Sequence, residues 1–340
     1  MKSASGTITY VNLYVNSKPD ASTSFDLDTQ LLIAHTSLFL APNARTALII
    51  GHGSGITAGS VMRHPLEQAD IVEISPAVLS ADSMFVDANY AVLSDPRVRT
   101  YLDDGQSFLR MVPRRYDAII SQPPNPWIAG VGALFTVEYF EKARDRLNPG
   151  GVFSFWFHAY EQSDEAVQLI VRSIGSVFPH IMMFGDDDLG NLIAVASMEP
   201  IEPDFAKMER RYQDPGIRKD LARLGMNNLV ALLSHHRISQ KQFGQLTGPG
   251  PLNTVGHQRL EYMAPRSFFL RETSLYLDRF DPLIRGVAKK TDLMLDSYIT
   301  YRAEVGNPVS KKELVDAARY AASMGGYGRQ VAKSIVARIH

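Results

Sequence analysis

A glycine-rich turn between a strand and a helix constrains the fold more than any other feature of this sequence. The run Thr46–Ile50 is short and apolar, which is typical of a strand buried in a parallel sheet. The turn Gly51-His52-Gly53-Ser54-Gly55 follows directly, and residues 56–63 continue as a predicted helix. Glycines let the backbone turn tightly and approach a ligand without an intervening Cβ. Such a unit points backbone N–H groups and a helix N-terminus at a ligand, and it predicts an α/β fold.

A second predicted strand ends in a carboxylate. Residues 69–73 form a largely apolar run that ends at Glu73, 22 positions after Gly51 (73 − 51). An acid about 20 residues beyond the glycine turn is placed to bind both ribose hydroxyls; the alternative is a solvated strand end. Ile56 stands where a dinucleotide fingerprint, G-x-G-x-x-G, would have Gly or Ala. The pattern G-x-G-x-G therefore favours a nucleoside such as adenosylmethionine, which has no pyrophosphate.

Strands and helices continue to alternate beyond Glu73. We predict helices at 76–85, 106–111 and 136–147, and strands at 98–101, 116–120 and 152–156. This alternation predicts a parallel sheet with helices on both faces. Ligands bind such sheets beyond the carboxyl ends of the strands. Because Glu73, Asp104 and Gln122 follow three of these ends, we expect their side chains to converge.

Seven short motifs occur in order between Ala47 and Trp156: 49–55 (IIGHGSG), 72–76 (VEISP), 95–98 (DPRV), 104–105 (DG), 116–120 (YDAII), 134–136 (LFT) and 147–152 (LNPGGV). In order and spacing they resemble the spermidine synthase, or polyamine aminopropyltransferase, family. The resemblance extends over residues 1–200, since 13–16 also look like the family's N-terminal strands. It implies a Rossmann-like class I adenosylmethionine-dependent transferase fold with a small N-terminal β segment.

The resemblance also implies a donor site. The residues expected to bind the nucleoside are Gly51, His52, Gly53, Gly55, Glu73, Asp104 and Gly105. Among them, Glu73 would bind the ribose and Asp104 the adenine amino group, whereas His52 either contacts the donor or points outward. In aminopropyltransferases the donor is decarboxylated S-adenosylmethionine. An amine attacks the methylene next to sulfur, and methylthioadenosine leaves.

The acceptor half of the family's site is altered in this chain. The family has a D-x-x-D-P loop after the fourth strand, and its first Asp helps to deprotonate the attacking amine. Here the loop is Gln122-Pro123-Pro124-Asn125-Pro126, and an amide cannot act as a general base. The family's upstream Tyr-His pair aligns with Thr29 and Gln30, and its upstream Gln aligns with Asp20. We expect Asp20 and Gln30 to contact the acceptor, and the two loop amides to orient it.

A divergent subgroup resembles this chain more closely. Its spermidine-synthase-like domains are often fused to membrane segments and have loops of the form S-E-P-S-N-P-W. Residues 121–127 read S-Q-P-P-N-P-W, and similarity continues at 251–254 and 260–266. Membership implies the fold and the nucleoside site and leaves the acceptor open.

Three side chains near the fourth and fifth strands are further candidates. Trp127 either stacks on an adenine or acceptor or is a packing anchor. His158 is the best substitute base in the neighbourhood, and Tyr160 is placed to face the acceptor. The alternative for His158 is a partly exposed loop histidine.

Composition excludes several classes of function. The chain has no cysteine, which excludes disulfides, zinc–thiolate sites and thiol nucleophiles. His235 and His236 are adjacent in a predicted helical stretch without a third ligand, so we expect no metal. A net charge of −1 gives no reason to expect a nucleic acid as partner.

No apolar stretch approaches the roughly 20 residues of a membrane helix, and the N-terminus does not look like a signal peptide. We expect a cytoplasmic chain without membrane insertion.

The predicted organisation has three parts. Residues 1–40 form a β-hairpin and a helix, 41–200 the Rossmann-like domain, and 201–340 a mainly helical extension that caps the core or forms a dimer surface. The helices predicted in the extension are 203–224, 228–234, 268–278, 291–305, 311–322 and 329–339.

Together these patterns favour a transferase that moves an alkyl group from S-adenosylmethionine or its decarboxylated form to an amine-like acceptor. Methyl transfer from S-adenosylmethionine is an alternative on the same fold. A non-catalytic nucleoside-binding or assembly protein is a third, favoured by the missing loop carboxylates and disfavoured by the retained donor residues.

Overall fold

The structure is a computed structural model that describes residues 10–15, 18–185, 190–282, 285 and 291–339. The N-terminal part contains strands β1 (Asn12–Val15) and β2 (Lys18–Ser22), which pair antiparallel, and helix α1 (Leu27–Leu40). The β-hairpin and the helix predicted within residues 1–40 are therefore present. Residues 1–9 and 16–17 of that part lie outside the described residues.

The central part alternates strands with helices. In chain order its elements are β3 (Thr46–Ile50), α2 (Ile56–Val61), β4 (Gln68–Glu73), α3 (Pro76–Ala81), α4 (Val86–Asn89), β5 (Val98–Leu102), α5 (Gly105–Met111), β6 (Tyr116–Ser121), α6 (Val137–Asp145), β7 (Leu147–His158), α7 (Asp164–Gly175), β8 (His180–Gly185) and β9 (Asn191–Ser197). Short 3₁₀ helices occupy Asp82–Met84, Val92–Ser94 and Val131–Phe135. Side-chain caps start the longer helices, since Thr136 accepts from the Tyr139 N–H and Ser163 from the Ala166 N–H.

The extension is mainly helical, as predicted. Its elements are α8 (Phe205–Tyr212), α9 (Pro215–Ala222), α10 (Leu229–Leu233), β10 (His236–Ile238), α11 (Gln240–Leu246), α12 (Leu260–Leu270), a 3₁₀ helix (Leu277–Arg279), α13 (Met294–Glu304), α14 (Lys311–Ser323) and α15 (Gly325–Val336). The helix predicted at 203–224 is two helices, because Asp214 caps a new helix that begins at Pro215. The helix predicted at 268–278 is wrong, since α12 ends at Leu270.

All strands from β3 to β10 form one sheet, in the order β10-β8-β9-β7-β6-β3-β4-β5. The strands β3 to β7 pair in parallel, as predicted. The other half is antiparallel. The prediction that His235 and His236 are helical is wrong, because α10 ends at Leu233, His235 lies in a turn and His236 starts β10 on the edge of the sheet. Only a short connection separates β8 from β9, and short connections join antiparallel strands, whereas parallel pairs need a crossover.

Apolar side chains fill both faces of the sheet. Ile49, Ile71 and Ile120 point to a face covered by α1, α2 and the helices α10, α13 and α14. Leu48, Val72 and Ile119 point to the opposite face, which α5, α6, α7 and α12 cover. The alternation follows from the two-residue period of a strand. In the described part of the chain, no helix combines the length and apolar character required to cross a membrane.

Candidate functional site

A cavity of about 470 Å³ lies at the carboxyl ends of the parallel strands β3, β4 and β6. We call it the main cavity. The glycine turn lines it together with Glu73, Asp104 and Gln122, the three side chains expected to converge. The carboxyl ends of neighbouring parallel strands bring these residues together from distant parts of the chain.

The glycine turn requires its glycines. Gly51, Gly53 and Gly55 have φ angles of 90°, 54° and 75°, a region that side chains disfavour. Gly51 and Gly53 line the main cavity, as expected. Gly55 is not among the lining residues: a Cβ there would lie 2.8 Å from the Asn89 amide nitrogen, on the protein side of the turn. The expectation that Gly55 lines the donor is therefore not met; it starts helix α2.

Glu73 is fixed by backbone hydrogen bonds from the turn. Its side chain is buried, and its Oε2 accepts from the His52 N–H at 2.8 Å while its Oε1 accepts from the Ser75 N–H at 2.8 Å. A carboxylate has about four acceptor positions, so each oxygen keeps capacity for another donor. The arrangement holds an anionic acceptor in place beside the glycine turn.

The His52 ring stabilises the turn from behind. Its Nε2 lies 2.8 Å from the Asp82 Oδ1, which also accepts from the Asn89 side-chain amide at 2.7 Å. The same amide donates to the Ser54 carbonyl at 3.1 Å. His52 is among the residues that line the main cavity. Its ring is buried, so it does not point outward.

Asp104 and Gly105 form the opposite wall of the main cavity. The Asp104 Oδ2 accepts from the Ser107 N–H at 2.8 Å and so caps helix α5. A Cβ on Gly105 would lie 2.6 Å from the Ile50 Cγ2, so only glycine lets α5 start this close to strand β3. Both residues line the cavity.

A smaller cavity of about 90 Å³ adjoins the first, and we call it the side cavity. Five residues line both cavities: Asp20, Gln30, Gln122, Pro123 and Pro124. The side cavity is also lined by Asp26, Thr29, Asn125 and Tyr160. Asp26 and Thr29 were not among the predicted site residues, although Thr29 lies at an aligned position. The Thr29 Oγ1 is buried and, within the described residues, has no hydrogen-bond partner.

Both glutamines at the junction of the cavities are held by the protein. The Gln122 Oε1 accepts from the Thr57 hydroxyl at 2.6 Å. The Gln30 Nε2 donates to the carbonyls of Ser22 and Asp26, each at 2.9 Å, and its Oε1 accepts from the Ser54 hydroxyl. Gln30 thus connects the N-terminal segment to the glycine turn and lines both cavities, so its contact with an acceptor stays a prediction.

His158 is buried in an aromatic cluster and lines neither cavity. Its Nδ1 lies 2.7 Å from the Tyr160 carbonyl, which fixes the proton on Nδ1, and its Nε2 accepts from the Asn125 amide at 2.9 Å. Both ring nitrogens are therefore occupied. The prediction that His158 is a substitute base is wrong, because its ring lies outside both cavities. The alternative, a partly exposed loop histidine, is also wrong, because the ring is buried.

Trp127 also lies outside both cavities. Its ring stacks on Phe268 with centroids 5.0 Å apart and meets the His158 ring edge-on at 4.8 Å. These contacts agree with the packing anchor rather than with a substrate contact. Tyr160 does line the side cavity and stacks on His158 at 4.2 Å.

The two cavities are acidic. Their described lining residues include the carboxylates Asp20, Asp26, Glu73, Asp103 and Asp104 and no lysine or arginine. No group of three or more potential ligands placed to hold a metal ion occurs among the described residues. The lining therefore has the electrostatic character to bind cations.

Residues 28–185 match the family described as spermine/spermidine synthase domain. This segment is a spermidine synthase-like domain. Asp20 and Asp26 lie just before the matched range, whereas the glycine turn, Glu73, Asp104 and the 122–126 loop lie within it.

Named relatives agree with this assignment. The chain is 31% identical over 149 residues to the polyamine aminopropyltransferase of Thermotoga maritima, covering 44% of this chain and 50% of the relative. It is 38% identical over 136 residues to putrescine N-methyltransferase 3 of Nicotiana tabacum, covering 38% of this chain and 35% of the relative. The match thus covers half of the length of the Thermotoga relative and about a third of the length of the Nicotiana relative.

One solved structure shows the fold. A spermidine synthase in complex with the transition-state analogue AdoDATO superposes with a TM-score of 0.50 at 24% identity, covering 62% of this chain and 80% of that one.

Proposed function

We propose that this chain transfers an aminopropyl-type alkyl group from decarboxylated S-adenosylmethionine to a small amine acceptor. The observation that carries the proposal is the acidic lining of the two connected cavities, with five carboxylates and no lysine or arginine among their described residues. A decarboxylated donor is cationic at its sulfonium and its amine, and the acceptor is an amine. Carboxylates favour all of these charges and disfavour a ligand carboxylate.

The main cavity would hold the nucleoside. Glu73 would accept the ribose hydroxyls with the lone pairs that the His52 and Ser75 N–H groups leave over. Gly51 and Gly53 would let the backbone approach the ligand, and Asp104 would accept from the adenine amino group. The relatives' names include aminopropyltransferase and spermidine synthase, which supports a donor of this class.

The side cavity would hold the acceptor, because it adjoins the main cavity and shares Gln122 with it as a lining residue. Gln122 and Asn125 would orient the acceptor, since amides do not deprotonate it. The sulfonium is already an activated leaving group, so alignment of the amine with the methylene supplies much of the catalysis.

Methyl transfer from S-adenosylmethionine is the second candidate, because the chain is 38% identical to a putrescine N-methyltransferase over 136 residues. That donor retains a carboxylate. A methyltransferase on this scaffold would have to hold it in cavities without a described basic lining residue.

A transfer assay distinguishes the two. The full chain is incubated with either donor and a panel of diamines, and products are identified by mass spectrometry. The proposal predicts methylthioadenosine and an aminopropylated amine from the decarboxylated donor. S-adenosylhomocysteine and a methylated amine from S-adenosylmethionine would establish methyl transfer instead.

A further inference from the structure

Asp20 is the carboxylate at the boundary of the two cavities. It lies on strand β2, is half-buried, and lines both the main and the side cavity. Asp26 lines only the side cavity, whereas Glu73 and Asp104 line only the main cavity. A ligand in each cavity would therefore meet its neighbour next to Asp20.

The other polar groups at this boundary cannot take a proton from an amine. Gln122 and Gln30 are amides, which are not basic enough to take a proton from an ammonium group. His158 lies behind Asn125, with both ring nitrogens in hydrogen bonds. Among the described residues that line both cavities, Asp20 is the one with a carboxylate side chain.

We propose that Asp20 is the general base of the transfer reaction, an inference that rests on the proposed function. The Asp20 carboxylate takes one proton from the acceptor ammonium. The freed nitrogen lone pair forms the C–N bond to the methylene next to the sulfonium, and the C–S bond breaks with its electron pair going to sulfur. The products are a neutral thioether, a substituted ammonium and a protonated Asp20, which returns its proton to water.

The sequence agrees with a displaced carboxylate. The resemblance described above implies an acid in the family at the position of Gln122 and an amide at the position of Asp20, and this chain has Gln and Asp there instead. Both positions face the same junction, so the exchange keeps one carboxylate there.

The test compares Asp20→Asn with the charge-exchanged variant Asp20→Asn/Gln122→Glu, both nearly isosteric. We expect Asp20→Asn to lower kcat about 100-fold, as loss of a general base does, and to lose the acidic limb of the pH–rate profile. Its Kd for methylthioadenosine should stay within about threefold, which also shows that it folds. The double variant should recover at least tenfold in kcat. Asp145→Asn, at an exposed carboxylate on α6, is the matched control.

The outcomes separate the two levels of the proposal. If the wild-type chain transfers the group and Asp20→Asn keeps its kcat and pH profile, Asp20 is not the base and the proposed function stands. If kcat falls in Asp20→Asn with an unchanged pH profile, and the double variant does not restore it, Asp20 is likewise not the general base. If the wild-type chain binds methylthioadenosine but transfers nothing to any diamine, both the proposed function and the role of Asp20 fail.

Discussion

Glu73 is the residue on which the nucleoside site depends most directly. Its two oxygens are held by the His52 and Ser75 N–H groups, so little rearrangement is needed when ribose hydroxyls bind. Glu73→Gln replaces one acceptor oxygen by a donor and removes the charge. Because hydrogen bonds to charged groups contribute about 1.5–3 kcal/mol, we expect methylthioadenosine affinity to fall about 10- to 100-fold by calorimetry. Glu67→Gln, at an exposed glutamate, is the control; equal affinities for wild type and Glu73→Gln would remove Glu73 from the site.

The pair Asn125 and His158 makes a prediction about stability. Asn125→Leu keeps the side-chain size but leaves the buried His158 Nε2 without the amide that donates to it. An unsatisfied buried acceptor costs about 1–3 kcal/mol, so the free energy of unfolding in urea should fall by that amount. The control is Asn227→Leu, at an exposed position. A free energy of unfolding equal to that of the wild type would show that this hydrogen bond does not contribute to stability.

At the residue scale, the sequence predicted what local spacing determines. The glycine turn and Glu73 belong to one strand–turn–helix–strand unit, β3-α2-β4, whose regular spacing allowed their place to be inferred. The roles of Gln30, Trp127 and His158 depend on Ser54, Phe268 and Asn125, which belong to other parts of the fold. No periodicity in the sequence reports such partners.

Two buried histidines, His235 directly before strand β10 and His236 at its start, make the stability depend on pH. Burial lowers the pKa of His235 and of His236 from 6.5 to about 3. The His236 Nδ1 accepts from the Met294 N–H at 2.9 Å, and a proton on that nitrogen would break the bond. Since the unfolded chain binds more protons than the folded chain between about pH 3 and 6.5, stability is lost as pH falls through this range. Lowering the pH from 7 to 5 should cost about 2 kcal/mol for each histidine.

Urea unfolding of His236→Gln at both pH values tests this element. The difference between pH 7 and pH 5 should shrink by about 2 kcal/mol relative to the wild type. His257→Gln, at an exposed histidine, is the matched control. An unaltered difference in His236→Gln would mean that His236 is not kept neutral by burial.

The elements differ in how well the sequence predicted them. The parallel strands have apolar runs bounded by turn residues, and the bounds of β3 to β6 were predicted within one residue. Strand β7 begins five residues before the predicted start at residue 152. Strand β10 has three residues and exists because it pairs with β8, so its pattern alone resembles the end of α10. Helix α12 continues through Pro265, and the exposed Tyr262 and Phe269 blur its periodicity.

The whole molecule shares its core between the sheet and the C-terminal helices. Leu314 of α14 and Leu293 belong to the same buried cluster as Ile49 and Ile71 of the sheet. The predicted boundary between 41–200 and 201–340 therefore does not separate two hydrophobic cores, and we expect the two parts to unfold together.

Leu314→Ala tests this cooperativity. A buried Leu→Ala change costs about 2–5 kcal/mol, and both tryptophans, Trp127 and Trp156, lie in the first 200 residues. The urea midpoint from tryptophan fluorescence should therefore fall together with the midpoint from far-ultraviolet circular dichroism. A fluorescence midpoint that stays at the wild-type value would show that the extension unfolds independently.

The most direct test of the whole molecule's function is calorimetric titration of the full chain with methylthioadenosine, decarboxylated S-adenosylmethionine and S-adenosylmethionine, side by side. The acidic lining predicts that the two ligands without a carboxylate bind at least tenfold more tightly than S-adenosylmethionine. Tighter binding of S-adenosylmethionine would contradict an aminopropyl donor and favour methyl transfer. If none of the three binds, the main cavity is not a nucleoside site.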